Sequence, residues 1–129
     1  MNKAVEILKE SRVFYVATTD GDQPRVRPFG AIAEIEGKLY ICTSNTKDCF
    51  KQMIANPKVE ISTMLGAEKW VRICGIIKRD DRLSAREEFL QQTPLATYKA
   101  DDGIFEVFYL ESGVMTTYSF SGKTEVYRL

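Results

Sequence analysis

The chain has 129 residues, enough for one domain, with 44% apolar and 28% charged side chains, the balance of an ordinary globular protein. Its 18 basic and 18 acidic residues cancel, so it lacks the basic excess of a duplex-binding protein, and no apolar run approaches the ~20 residues a membrane span needs. It contains no histidine, which rules out a Ser-His-Asp or Cys-His apparatus and any histidine-ligated metal or haem.

Residues Asn2 to Ser11 read as a short helix: Asn2 can cap it, and Ala4, Val5 and Leu8 recur at helical spacing. Glu6 and Glu10 among the apolar residues exclude a signal peptide, so a cytoplasmic location is expected. Arg12 to Thr18 is rich in β-formers, and Asp20-Gly21-Asp22 is a hairpin signal. The next strand spans Arg25 to Ile35. Arg25 and Arg27 stand at i and i+2 and therefore share one face, while Pro28 marks an edge or a bulge.

After a turn at Glu36-Gly37-Lys38, a third strand covers Leu39 to Thr43. It runs into the corner Thr43-Ser44-Asn45-Thr46-Lys47, which opens a helix from Thr46 to Ala55, stopped by Pro57. A helix N-terminus beside hydroxyls and a lysine suits a phosphate, because free N–H groups and the helix dipole favour an anion. Arginines on a neighbouring strand add donors, and the combination points to a phosphorylated ligand. Strands at Lys58 to Leu65 and Lys69 to Ile77 follow. Ser84 with Glu87 has the spacing of a capping box for a helix that runs to about Gln92. Ile104 to Leu110, Val114 to Phe120 and Thr124 to Leu129 complete the strands.

Six to eight short strands separated by turn signals, with three short helices, predict a mainly β (α+β) fold. The expected form is a closed antiparallel barrel in one domain over residues 1–129. No Gly-x-Gly-x-x-Gly links a strand to a helix, so a Rossmann site is not supported. Cys42, Cys49 and Cys74 are odd in number and lack a Cys-x-x-Cys pair, which argues against disulfides and zinc and makes them structural apolar residues. Cys49, in a helix's first turn, is where a thiol pKa can fall. Without histidine, any chemistry is best carried by a cofactor.

An ordered set of segments resembles the pyridoxamine 5'-phosphate oxidase-like proteins, the FMN-binding split β-barrels. They are Phe14-Tyr15-Val16-Ala17-Thr18, Pro24-Arg25-Val26-Arg27-Pro28-Phe29, Leu39-Tyr40-Ile41-Cys42-Thr43, Lys47, Gln52, Asn56-Pro57-Lys58-Val59 and Trp70-Val71-Arg72-Ile73-Cys74-Gly75. The match covers roughly residues 1 to 80, and the last third fits by strand count alone. The resemblance implies a six-stranded antiparallel split β-barrel, a homodimer and FMN in a groove between subunits. It implies cofactor-binding roles for Arg25, Val26, Arg27, Pro28 and Phe29 along the flavin and ribityl chain. Cys42, Thr43 and Ser44 would lie at the ribityl and phosphate, Lys47 would pair with the phosphate, and Gln52 would face the same region. Trp70 stands where the oxidases place a flavin-contacting glutamine.

The chain lacks the oxidases' C-terminal segment with its substrate-binding arginine and histidine, so oxidation of pyridoxamine phosphate is not expected. Among small members it is more similar to the nitroimidazole-resistance proteins, several of which carry a histidine that this chain lacks. The implied activity is an FMN-dependent oxidoreductase that passes electrons from NAD(P)H or another donor to a small acceptor. The alternative is a module that holds flavin, deazaflavin or haem for storage or sensing. No catalytic side chain and no metal site is assigned.

Overall fold

The computed structural model describes residues 2–129. Its elements, in order, are α1 (Lys3–Ser11), β1 (Phe14–Asp20), β2 (Gln23–Phe29), β3 (Ala33–Ile35), β4 (Lys38–Ser44) and α2 (Asp48–Ala55). They continue with β5 (Lys58–Leu65), β6 (Lys69–Asp80), α3 (Leu83–Gln92), β7 (Phe105–Ser119) and β8 (Thr124–Arg128). The strands form one antiparallel sheet in the order β2-β1-β5-β6-β7-β4-β3, with β8 paired to β7. The mainly β class with short helices is as expected. The strand count of eight lies within the expected six to eight, above the six that the resemblance implies, and the sheet is open instead of closed, with β2 and β3 as its free ends.

The opening has a local cause. The expected strand from Arg25 to Ile35 is interrupted at Gly30-Ala31-Ile32, so its two pieces pair at opposite ends of the sheet: β2 with β1, β3 with β4. Pro24 and Pro28 in β2 offer no N–H, which an edge strand tolerates. The turn at Glu36-Gly37 forms as expected. Both residues have positive φ (53° and 76°), the geometry of a two-residue hairpin that closes the Ile35–Lys38 pair.

Two core clusters meet across β4. Leu39 and Ile41 join Val5, Leu8, Phe14, Val16, Met53, Ile61, Ile73 and Met115. Tyr40 belongs instead with Ala85, Phe89, Phe105 and Val107 beneath α3. A strand buried on both faces reads as a continuous apolar run, and Leu39-Tyr40-Ile41-Cys42 is one. The Asn2 side chain caps α1 by accepting from the N–H groups of Ala4 and Val5 at 3.0 and 3.2 Å.

Two expectations change. The Ser84–Glu87 capping box does not form: α3 starts at Leu83, its N-cap is Arg82, and no side chain caps it. Ile104 to Leu110 and Val114 to Phe120 are one long strand, β7, which runs alongside β6 through a bulge at Ile76–Ile77. At that bulge a Cβ on Gly75 would lie 2.2 Å from the Ser112 carbonyl oxygen, so only glycine lets the two strands approach. Among the described residues no helix is long and apolar enough to cross a membrane.

Candidate functional site

A groove of about 320 Å³ opens where the sheet splits. Its walls come from the end of β2 and the link after it (Arg27 to Ala31), from Cys42 and Thr43 of β4, and from Lys47 and Cys49 at the start of α2. Thr93, Leu95 and Tyr98, just beyond α3, complete it. The volume lies within the range of small-ligand pockets.

Arg27 enters on the inner face of β2. Its guanidinium donates to Thr18 Oγ1 at 2.7 Å, to Gln52 Oε1 at 2.6 Å and to the Val16 carbonyl at 3.3 Å. The Thr18 hydroxyl also donates to Gln52 Oε1, at 2.6 Å. The arginine is thus oriented by neutral oxygens from β1 and α2, and its charge is not cancelled. Among the described residues neither Arg27 nor Lys47 pairs with a carboxylate, whereas Arg25, Lys78, Arg79 and Arg82 all do. Two unbalanced cations on one small groove create a field that favours an anion.

The corner before α2 adds donors. Lys47 is the N-cap of α2 and no side chain caps that helix, because the nearby hydroxyls serve the preceding turn. Ser44 Oγ lies 2.7 Å from Thr46 Oγ1 and accepts from the Thr46 N–H at 3.2 Å. Asn45 fixes the corner to β7 by donating to Gly103 O and Glu106 Oε2, both at 2.9 Å. The buried Glu106 is neutralised by Arg79, which donates to both its oxygens at 2.8 and 3.2 Å. Glu106 therefore holds the corner in place without opposing an anion in the groove.

Cys42 and Cys49 are packed structural thiols as expected, whereas Cys74 is exposed on the sheet. Burial pushes Cys42 up to about 12, only partly offset by Lys47. Burial raises Cys49 too, against the pull of Arg27 and Lys47. Both remain protonated at neutral pH, so desolvation outweighs the helix terminus and neither is a reactive thiolate.

Of the residues singled out by sequence, Arg27, Pro28, Phe29, Cys42, Thr43 and Lys47 line the groove. Gln52 is buried behind it as the anchor of Arg27, and Ser44 shapes the corner. Arg25 lies outside it, paired at 3.3 Å with Asp20. Val26 and Trp70 face the opposite side of the sheet. There Trp70 stacks on Tyr118 at 5.3 Å and packs on Phe120 at 4.8 Å. Sequence reading missed Gly30, Ala31, Cys49, Thr93, Leu95 and Tyr98 as lining residues. Apolar Leu95 and Tyr98 in a loop directly after Pro94 were the available signal. Among the described residues no cluster of histidine, cysteine, aspartate or glutamate could hold a metal.

Comparison with known proteins agrees with this architecture. A family model described as pyridoxamine 5'-phosphate oxidase matches residues 1–109. A NimC/NimA family protein from Clostridium acetobutylicum is 53% identical, with a TM-score of 0.93 over 98% of this chain and 90% of that one. A heme-binding protein from Mycobacterium smegmatis shares the fold at 19% identity and a TM-score of 0.75, over 97% of this chain and 57% of that one. An FMN-binding, pyridoxamine 5'-phosphate oxidase-related protein from Nostoc punctiforme shares it at 12% identity and a TM-score of 0.63, over 98% and 92%. No curated protein matches significantly.

Proposed function

This chain belongs to the pyridoxamine 5'-phosphate oxidase family and, at 53% identity to one member, to its NimC/NimA group; from that premise we propose that it is an FMN-binding flavoprotein. It passes electrons from NAD(P)H or another donor to a small acceptor. The observation that carries this reading is the pair of unbalanced cations, Arg27 and Lys47, in one groove with the uncapped N-terminus of α2. That donor set fits a phosphate monoester. A structurally similar protein is described as FMN-binding, which agrees with the choice of phosphorylated ligand.

Lys47 and the first-turn N–H groups of α2 would hold the phosphate. Arg27, kept rigid by Thr18 and Gln52, supplies the second cation and needs no reorganisation when the ligand enters. Thr43 offers a hydroxyl to the ribityl chain, and Pro28 and Phe29 shield the groove from water. Bound flavin would supply hydride and single-electron chemistry that no side chain here can. The chain contributes binding, orientation and exclusion of water.

The working unit is a cytoplasmic homodimer of one domain per chain. Its support is the outer face of the sheet, which no described element covers. That face carries Val26, Tyr15, Met64, Trp70, Tyr118 and Val126, interspersed with Glu60, Ser62, Arg72 and Arg128, with Val26 67% and Val126 66% exposed. An uncovered sheet face with exposed apolar side chains among charged ones suits a second copy of the chain.

The deciding test is the visible spectrum of the purified protein before and after FMN addition and desalting. Retained flavin bands are expected, and a colourless protein that ignores FMN overturns the reading. Steady-state NAD(P)H oxidation above free FMN separates a catalyst from a storage or sensing module. Haem is less suited to this chain, because it has no histidine to ligate the iron.

A further inference from the structure

The segment after α3 has a turn-and-loop backbone that hydrogen bonds tie to its neighbours. Thr93 Oγ1 donates to the Ile32 carbonyl at 3.0 Å, and the Tyr98 N–H donates to Leu95 O at 3.2 Å. The Asp102 carboxylate accepts from the N–H groups of Lys99, Ile104 and Phe105 at 3.0, 2.9 and 2.8 Å. Arg86 Nε donates to the Ala100 carbonyl at 2.7 Å. The Tyr98 ring rests on the buried Phe105 at 5.2 Å, and Phe105 in turn packs on Phe89. Side chains fixed in this way present a preorganised surface, which lowers the ordering cost of binding.

This surface has a different chemistry from the rest of the groove. Arg27 and Lys47 make one part cationic. Leu95 and Tyr98, with Phe29 and Ala31, make the other uncharged and largely apolar. Tyr98 lines the groove, and among the described residues its hydroxyl has no hydrogen-bond partner. A ligand that matches both parts has an anionic end and a flat, uncharged aromatic end.

We infer that Leu95 and Tyr98 form the subsite for the aromatic ring system of the groove's ligand, with the Tyr98 hydroxyl donating to a ring carbonyl or ring nitrogen. This rests on the flavin reading above, and it assigns ring recognition to a segment of the same chain that carries the phosphate donors. The two ends then act separately: Leu95 and Tyr98 read the ring, Lys47 reads the phosphate.

The separation is tested by titrating the full chain with lumiflavin, which is the ring alone, and with FMN, following the visible bands. Tyr98→Ala and Leu95→Ala are expected to weaken both ligands by a similar factor, about tenfold. Tyr98→Phe, which keeps the ring, weakens both by less. Lys47→Ala weakens FMN and leaves lumiflavin unchanged. Thermal melts of each variant confirm that it is folded, and the Tyr98→Phe and Leu95→Ala results stand if Tyr98→Ala does not fold. Unchanged lumiflavin affinity in Leu95→Ala and Tyr98→Phe, with FMN still lost in Lys47→Ala, overturns the ring subsite and spares the flavin reading. A wild-type chain that binds neither ligand overturns both.

Discussion

At the scale of single residues, the site depends on which charges are left unbalanced. Lys47 is exposed and takes no part in packing. Lys47→Ala is therefore expected to change stability by no more than ~0.5 kcal/mol, yet to cost FMN ~10–100-fold in affinity, the scale of a lost charge-assisted hydrogen bond. Arg27 has two tasks. Arg27→Ala removes a cation from the groove and also strips a donor from Gln52, so it should weaken FMN and destabilise the fold by ~1–3 kcal/mol. Arg25→Ala loses only an exposed pair with Asp20 and should cost less FMN affinity than either. Flavin titrations and urea melts on the three variants separate these effects.

A second residue-level prediction concerns acid. Hydrogen bonds from Arg82 hold the Asp80 carboxyl down at about 2, against the opposing effect of burial and with help from the Tyr40 hydroxyl, 2.7 Å away. A depressed carboxyl contributes stability that is complete above its ordinary value, near 4, and is lost as pH falls through about 2. Arg82 is half exposed, so screening reduces the contribution to ~1–2 kcal/mol. Asp80→Asn should melt below wild type at pH 5, with the gap closing toward pH 2. A gap independent of pH would assign the loss to packing alone.

At the scale of elements, two interruptions shape the sheet, and the first of them opens the groove. The first is the break at Gly30-Ala31-Ile32, which sends β3 to the far end and leaves the groove where β2 stops. The second is the bulge at Ile76–Ile77, where β6 and β7 pass at a distance only Gly75 permits. Gly75→Ala must displace the Ser112 carbonyl, which is backbone and cannot swing aside. A loss of ~2–3 kcal/mol is expected by chemical denaturation. Bound FMN should restore part of it, because a ligand that binds only the folded chain stabilises it by mass action.

At the scale of the whole molecule, the proposed dimer makes the outer face the surface to test. Val126 is exposed in the single chain, so Val126→Glu costs the monomer little fold stability. On a self-complementary face it would place like charges in both copies. Analytical ultracentrifugation should show a dimer for the wild type and a shift toward monomer for Val126→Glu. An unchanged dimer would move the interface elsewhere.

The sequence by itself determined the kind of elements, the turns and the corner at Thr43–Lys47, because periodicity, capping and turn chemistry act over a few residues. It also made the anion site legible, since Arg27, Thr43 and Lys47 lie within one short stretch. Pairings between distant residues were decided only in three dimensions. Gln52 became the anchor of Arg27 because α2 packs across β1, and Trp70 turned to the outer face because the β5–β6–β7 register placed it beside Tyr118. Leu95 and Tyr98 reached the groove because Arg86, Asp102 and Ile32 hold their loop there. Each of these depends on contacts between segments whose sequence separation carries no local signal, so only the folded chain could bring them together.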